Sequence, residues 1–191
     1  MKNIAVFASG SGTNAQNIAE YFLAVRDIRV SLILANKPDA FVLERARELN
    51  IPSVVFTRKD FYESDEILGL LRKNEIDFIV LAGFLWLIPE YLLKAYSRRI
   101  INIHPALLPK YGGKGMYGDK VHQAVIQSGD NQTGITIHYV NDHYDEGEII
   151  FQDSFDILPE DTAESIARKV HKLEYEHFPR VIEETIRAVD S

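Results

Sequence analysis

The sequence contains no cysteine among its 191 residues. Disulfide bonds, thiolate zinc sites and a cysteine nucleophile are therefore excluded. No apolar stretch approaches the roughly 20 residues that a membrane-spanning helix requires. The apolar start of the chain meets Gly10 and Gly12 at once, without the cleavage pattern of a signal peptide. These absences predict a cytoplasmic protein with no membrane partner.

Positive charge is also scarce. The chain has 21 Lys and Arg against 28 Asp and Glu, which gives a formal net charge of -7. Nucleic-acid binding depends on the neutralisation of phosphates, so this balance argues against a nucleic-acid partner. Hydrophobic residues make up 46% and charged residues 26%, as in an ordinary globular protein. With no repeat or linker, the chain is predicted to form a single domain over residues 1–191.

Strand-like and helix-like segments alternate through the first half of the chain, and residues 76–82 form an almost uninterrupted apolar run. Such a run indicates a strand that is buried on both faces. The alternation predicts an α/β, Rossmann-like fold, with a mostly parallel sheet and helices on both faces. The predicted strands are 4–8, 28–35, 54–56, 76–82 and 100–103, and the predicted helices are 15–25, 40–49, 61–73 and 89–96.

The second half has a different pattern. Residues 107–118 are irregular and carry four glycines, and a helix is predicted over 119–127. The segments 133–140 and 148–155 predict an antiparallel extension of the sheet in the C-terminal half. A long helix is predicted from 161 to 189, and Pro179 is expected to kink or divide it.

A glycine-rich loop, Ser-Gly-Ser-Gly-Thr-Asn at residues 9–14, joins the first strand to the first helix. Free amides at a helix start attract anions, so a phosphate is expected near Gly12, Thr13 and Asn14. A dinucleotide fingerprint would accept Ala15 as its third small residue. However, residues 33–36 offer no acidic side chain for a ribose, so NAD is not expected. The structural alternative is a tight turn without a ligand.

Asn102 and His104 are two residues apart at the end of a predicted parallel strand, so their side chains point to the same side. Ligands of open α/β sheets bind at this edge. Asn102 can donate to a developing oxyanion and His104 can add positive charge or a proton, which suits acyl transfer to an amine. A nearby Asp145 would hold the tautomer of His104 and stabilise its charged form. The structural alternative is a loop-capping Asn and a His satisfied by backbone groups.

Other polar residues offer weaker signals. Thr136 and His138 share a strand face and are candidates for lining the same cleft. A metal site formed by His138, His143 and Asp145 is an alternative, but no recognisable ligand spacing supports it. We therefore expect no metal cofactor.

The segment Asn102-Ile-His-Pro-Ala-Leu-Leu-Pro109 resembles the signature of the folate-dependent formyltransferases, and Asp145 with Gly147 matches their later D-x-G segment. Residues 9–14, 81–84 and 102–111 together resemble the glycinamide ribonucleotide branch of that family, and the similarity spans essentially the whole chain. The resemblance implies a direct, metal-free transfer in purine biosynthesis. The formyl group would pass from 10-formyltetrahydrofolate, a co-substrate, to the amine of glycinamide ribonucleotide.

The resemblance also implies roles for individual residues. Asn102 and His104 would steady a tetrahedral oxyanion, while Asp145 would raise the pKa of His104 and help relay protons. The implied nucleotide-binding residues are Gly12, Thr13, Asn14, His171 and Glu174. The implied folate-binding residues are Leu85, Trp86, Leu87, Ile88, Asn102, Asn141, Asp142, His143, Tyr144 and Asp145.

The chain departs from the family pattern at several positions. Leu85-Trp86 replaces a common Met-Arg, which removes a guanidinium, and no counterpart of a folate-tail arginine is evident near Ser64. His171 stands where a glutamine is familiar, and the glycine-rich loop at 110–118 is longer than expected. These changes are expected to alter affinity and not the class of reaction.

Related enzymes are the main alternatives. Nucleotide-sugar formyltransferases come closest, although the loop at 9–14 suits a phosphate monoester better than a sugar diphosphate. Methionyl-tRNA formyltransferase and formyltetrahydrofolate hydrolase share the three catalytic residues, but they carry further domains for which no matching segment is seen. A catalytically silent nucleotide-binding module is the non-enzymatic alternative. It would not require Asn102, His104 and Asp145 together.

Overall fold

The computed structural model describes residues 1–189, so residues 190 and 191 of the predicted domain lie outside the described residues. Seven strands form one sheet in the order β3-β2-β1-β4-β5-β6-β7. The strands are β1 (Lys2–Ala8), β2 (Ile28–Ala35), β3 (Ser53–Val55), β4 (Phe78–Leu81), β5 (Ile100–His104), β6 (Gln132–Tyr139) and β7 (Ile149–Asp156). The helices are α1 (Thr13–Phe22), α2 (Val42–Glu48), α3 (Arg58–Tyr62), α4 (Glu66–Lys73), α5 (Glu90–Ala95), α6 (Asp119–Ser128) and α7 (Ala163–Val189).

The sheet is mixed. Strands β1 to β5 pair in parallel, whereas β6 and β7 add antiparallel pairs. This confirms the predicted parallel sheet with an antiparallel extension in the C-terminal half. The chain builds β2 and β3 on one side of β1, and β4 and β5 on the other. A crevice therefore forms at the carboxyl ends of β1 and β4, where ligands of such sheets bind.

Helices cover both faces of the sheet, because successive side chains of a buried strand point to opposite faces. In β1, Ile4 and Val6 pack in a core with α1, α2, α6 and α7. Ala5 and Phe7 pack in a second core with α3, α4 and α5. Within residues 1–189 no helix is both long and apolar enough to cross a membrane.

The predicted helix over 61–73 is wrong in its boundaries, because the structure has two shorter helices there. Thr57 and Asp60 form a reciprocal capping box, which begins α3 at Arg58, earlier than the apolar pattern indicates. Ser64 Oγ then accepts a hydrogen bond from the Glu66 amide at 3.3 Å, where α4 begins. Local side-chain hydrogen bonds to the backbone therefore outweigh the continuous apolar pattern.

Pro179 does not divide the long helix, because α7 runs from Ala163 to Val189 with the proline inside it. A proline lacks the amide that would bond to the carbonyl four residues earlier, here that of Tyr175. The Asn17 side chain of α1 donates to this carbonyl through Nδ2 at 3.1 Å. A contact between two helices thus replaces the missing helical hydrogen bond.

Strand β7 forms one edge of the sheet and pairs only with β6 among the described strands. Asp153 on β7 uses both carboxylate oxygens. Its Oδ1 accepts from the Ser154 amide at 2.7 Å, and its Oδ2 lies 2.8 Å from Nε2 of His177 on α7. The other edge is β3, which has only three residues.

Candidate active site

A cleft of about 930 Å³ opens at the carboxyl ends of β1, β4 and β5. Its walls come from the loops that follow these strands, including the glycine-rich loops at 9–14 and 110–118, and from parts of α1, α3, α6 and α7. The residues Gly12, Thr13, Asn14, Leu85, Trp86, Leu87, Asn102, His104, Tyr144, Asp145, His171 and Glu174 all line it. The fold therefore brings most of the sequence-predicted site residues together around one cavity.

The loop after β1 is built to leave helix amides free. Gly12 precedes α1 with φ of 73°, and no side chain caps the helix there. A Cβ at this position would clash with the side chain of Val42, so the turn requires a glycine. The first amides of α1 therefore keep their donors for an anion in the cleft.

The orientation of Asn102 is set by His138, its direct partner across the β5–β6 pair. His138 Nδ1 lies 2.8 Å from the Tyr139 carbonyl oxygen, so Nδ1 carries the proton and donates it. Its Nε2 is then an acceptor, and Asn102 Nδ2 donates to it at 3.1 Å. Nδ2 also lies 3.5 Å from Asp145 Oδ1, a long contact. One amide hydrogen of Asn102 thus stays weakly held beside the cleft.

His104 is buried, with 3% of its surface exposed. Its Nε2 donates to the Tyr111 carbonyl oxygen at 2.8 Å, and its Nδ1 lies 3.5 Å from Asp145 Oδ2. Asp145 Oδ2 also accepts from the Gly113 amide at 2.9 Å. The structure thus brings Asp145 to His104, as the sequence predicts. The same carboxylate also binds the glycine-rich loop at 110–118.

The Asp145 carboxylate acts on the pKa of His104 in the predicted direction, but it is not the largest influence. Burial lowers the pKa of His104, and this outweighs the Asp145 carboxylate, which acts to raise it. In the free protein His104 is therefore neutral near pH 7, with its proton on Nε2.

The nucleotide-binding residues predicted on α7 meet the start of α1. Glu174 Oε2 lies 2.9 Å from Asn14 Nδ2 and 2.8 Å from His171 Nδ1. The hydrogen bond to Glu174 raises the pKa of His171, and burial partly opposes this effect. The Asn14 side chain thus faces a carboxylate, so an anion near this residue would be bound by its backbone amide.

The opposite wall carries Leu85, Trp86 and Leu87. Ile88 is different, because it is only 3% exposed and packs in the core with α5. It supports this wall from behind, and its contact with folate stays a prediction. Arg58 also lines this wall, with its guanidinium 5.6 Å from the centre of the Trp86 ring. A guanidinium is thus present beside the tryptophan that replaces the family's arginine.

The loop over 141–145 divides into two parts. Tyr144 and Asp145 line the cleft, whereas Asn141, Asp142 and His143 do not. The latter three hydrogen-bond to one another, with the His143 amide donating to Asn141 Oδ1 at 3.0 Å. Their contact with folate stays a prediction. Among residues 1–189 no group of three or more His, Asp or Glu is arranged to hold a metal ion.

Sequence reasoning missed His122, Arg58 and Lys114, which all line the cleft. His122 is a polar residue between Val121 and Val125 on the buried face of α6, and this was its only signal. Arg58 lies outside every sequence motif, and Lys114 lies in the glycine-rich loop at 110–118, to which no ligand was assigned, so nothing in the sequence distinguished them from surface cations.

Residues 2–182 match the family model described as formyl transferase. The chain belongs to this family. It is 43% identical to a chloroplast protein of Arabidopsis thaliana named phosphoribosylglycinamide formyltransferase, over 97% of this chain and 67% of that protein. It is 40% identical to the Bacillus subtilis protein of that name, over 97% of this chain and 95% of the relative.

Solved structures of family members agree with the fold. The crystal structure of phosphoribosylglycinamide formyltransferase from Streptococcus pneumoniae matches with a TM-score of 0.85 and 36% identity, over 97% of this chain and 99% of that chain. These comparisons confirm the resemblance that the sequence motifs indicate.

Proposed function

We propose that this formyl transferase passes the formyl group of 10-formyltetrahydrofolate to the amine of glycinamide ribonucleotide, a step of purine biosynthesis. The observation that carries the proposal is the meeting of Asn102, His104 and Asp145 between a free helix start and an aromatic wall. The proposal treats residues 1–191 as one catalytic domain that works in the cytoplasm without metal or NAD.

The two ends of the cleft suit the two substrates. The nucleotide phosphate binds the first amides of α1, where Gly12 and Thr13 leave donors free. The folate binds along the wall of Leu85, Trp86 and Leu87, an apolar surface suited to a flat ring. The formyl group of the folate then faces the amine of the nucleotide, beside Asn102.

The reaction needs an oxyanion donor and a path for one proton. The glycinamide amine attacks the formyl carbon and forms a new C–N bond, while Asn102 Nδ2 donates to the oxygen that becomes negative. One amine proton leaves and one proton reaches N10 of the folate, after which the bond from the formyl carbon to N10 breaks. Neutral His104 can take up the proton on Nδ1, where the Asp145 carboxylate accepts a hydrogen bond from it through Oδ2. These two residues therefore hold the proton in transit.

The first prediction is that the purified protein transfers formyl groups to glycinamide ribonucleotide without added metal or ATP. Folate absorbance is followed while 10-formyltetrahydrofolate is offered with glycinamide ribonucleotide, an amino-sugar nucleotide or methionyl-tRNA. We expect the highest kcat/KM with glycinamide ribonucleotide. Faster transfer to an amino-sugar nucleotide would assign the chain to the nucleotide-sugar enzymes instead.

A further inference from the structure

Tyr111 is a residue of the glycine-rich loop at 110–118 that the mechanism above does not use. It does not line the cleft, but its carbonyl oxygen accepts a hydrogen bond from Nε2 of His104 at 2.8 Å. A carbonyl oxygen has no hydrogen to donate, so this contact forms only when Nε2 carries the imidazole proton. The contact therefore selects one of the two neutral tautomers of His104.

The tautomer decides whether His104 can take up a proton at the right place. Nδ1 is the ring nitrogen that faces the Asp145 carboxylate, 3.5 Å from Oδ2. A neutral imidazole carries one proton, so a proton on Nε2 leaves Nδ1 free to act as a base. In the other tautomer Nδ1 would already be occupied, and the proton of the reaction would have no site beside Asp145.

The backbone of Tyr111 has an unusual conformation. Its φ is 59°, in the left-handed region that residues with a large side chain rarely adopt. Such a conformation persists only where surrounding contacts hold the residue in place. The carbonyl that meets His104 therefore belongs to a strained residue, and its position depends on what anchors the rest of Tyr111.

The side chain of Tyr111 provides that anchor. Its hydroxyl donates to Asp130 Oδ2 at 2.6 Å and lies 2.5 Å from Ser128 Oγ, at the end of α6. Lys110 holds the same carboxylate, with Nζ 3.0 Å and 2.9 Å from its two oxygens. The ring of Tyr111 packs against the core that lies between the sheet and α6. Both the ring and the hydroxyl thus tie residue 111 to the end of α6.

We infer that Tyr111 is a positioning residue, whose hydroxyl anchors on Asp130 and whose carbonyl keeps His104 in the tautomer with a free Nδ1. The inference rests on the proposed function, because formyl transfer is the reaction that uses this nitrogen. Tyr111 supplies no atom to the cleft wall, so its loss should slow turnover without weakening the binding of either substrate.

The second prediction concerns Tyr111→Phe, which keeps the ring and removes the hydroxyl. Its kcat should fall roughly tenfold, as for one lost hydrogen bond, while the KM values for both substrates stay constant. Nitrogen NMR of histidine-labelled protein near pH ~8, above the usual imidazole range, reads the tautomer directly. His104 should carry its proton on Nε2 alone in the wild type and show a mixture in the variant. His138 carries its proton on Nδ1 and provides an internal reference that should not change.

Variants of the anchor separate this role from a general effect on folding. Asp130→Ala should reproduce the changes of Tyr111→Phe, whereas Asp130→Asn keeps an oxygen acceptor for the phenol and should recover most of the kcat. Tyr21 offers a matched control, because its hydroxyl donates to Glu183 Oε2 at the same 2.6 Å but away from the cleft. Tyr21→Phe should retain the kcat and the tautomer of the wild type. Thermal unfolding of each variant checks its fold.

Each failure has a separate meaning. A wild-type His104 protonated on Nδ1 would overturn the inference, and so would a single, unchanged tautomer in both Tyr111→Phe and Asp130→Ala. A fall in kcat without a change of tautomer would show that Tyr111 acts by another route, which also contradicts the inference. If the wild type transfers no formyl group to glycinamide ribonucleotide, the proposed function fails, and the NMR measurement still tests the contact between Tyr111 and His104 by itself.

Discussion

Single residues of the site depend on neighbours that do not touch the substrates. Asn102 is held by His138, whose ring is fixed in turn by the Tyr139 carbonyl. Without the Nε2 acceptor, the amide of Asn102 could turn its oxygen toward the formyl group and repel the developing oxyanion. His138 is therefore a positioning residue, and its effect should pass entirely through Asn102.

The third prediction follows from this dependence. Asn102→Ala should lower kcat by about 10²–10³, the usual cost of losing an oxyanion donor. His138→Phe should lower kcat by roughly tenfold, as for one hydrogen bond. The double variant should be no slower than Asn102→Ala, because the second change then has nothing to position. Both substrates are kept saturating while kcat is measured.

His138→Gln provides the control for this pair. Its amide oxygen can accept from Asn102 Nδ2, so part of the lost kcat should return, which simple refilling of the cavity would not achieve. Independent, multiplying losses in the double variant would show that His138 acts by another route.

Among the helices, α1 and α7 are coupled by the proline inside α7. Asn17 donates to the Tyr175 carbonyl, which Pro179 leaves without its helical donor. The fourth prediction is that Asn17→Ala lowers the free energy of unfolding by about 1 kcal/mol, the typical value of one hydrogen bond. In a Pro179→Ala background residue 179 supplies the amide itself, so Asn17→Ala should then cost much less.

Urea unfolding of the two single variants and the double variant measures this coupling directly. Gln16→Ala is the comparison variant, because Gln16 is a neighbouring polar residue of α1 whose described side-chain hydrogen bonds join it to Glu20 and Arg45. Equal costs of Asn17→Ala in both backgrounds would contradict the proposed replacement.

The sequence predicted an element well when residues close to it in the chain determine its ends, and poorly when distant residues do. Strands such as Ile28–Ala35 were predicted with the observed ends because their apolar run is bounded by polar turns. The break between α3 and α4 was missed because the Thr57 cap and a side-chain hydrogen bond of Ser64 act against the apolar pattern. The integrity of α7 was missed because its support, Asn17, lies far away in the sequence.

The same distinction applies to the site. Asn102 and His104 could be paired from their spacing on one strand, but the meeting of His138 with Asn102 requires the register of β5 against β6. The direction of the His104 pKa requires its burial, which no local pattern gives. Residues that meet through tertiary packing alone, such as His122, were therefore not predicted.

For the molecule as a whole, buried histidines link stability to pH. Burial lowers the pKa of His104, His122 and His138, so the unfolded chain binds protons near pH ~6.5 that the native protein does not bind. Their contribution to stability therefore falls as the pH falls through this range. His171 acts in the opposite sense, because its pKa is raised by Glu174 and its contribution is lost as the pH rises.

The fifth prediction is a net loss of stability as the pH falls from about 7.5 to about 5.5. Three histidines with lowered pKa values lose stability in this direction, and only His171 acts against them. Urea midpoints at several pH values measure it. His138→Gln should flatten the profile, because one of the three lowered groups is removed. His171→Gln should steepen it, because the opposing contribution is absent. A stability that rises as the pH falls would contradict the assignment of these histidines as buried and neutral.

The edge strand β7 has a consequence for behaviour in a crowded solution. Open strand edges are templates for aggregation, since their free amides can pair with another chain. The peptide between Asp153 and Ser154 directs its carbonyl toward Gly134 on β6, so the Ser154 amide points to the open edge. The Asp153 carboxylate accepts a hydrogen bond from that amide. The Asp153 side chain thus withdraws one backbone donor from an arriving strand, which makes this edge a poorer template for cross-β assembly.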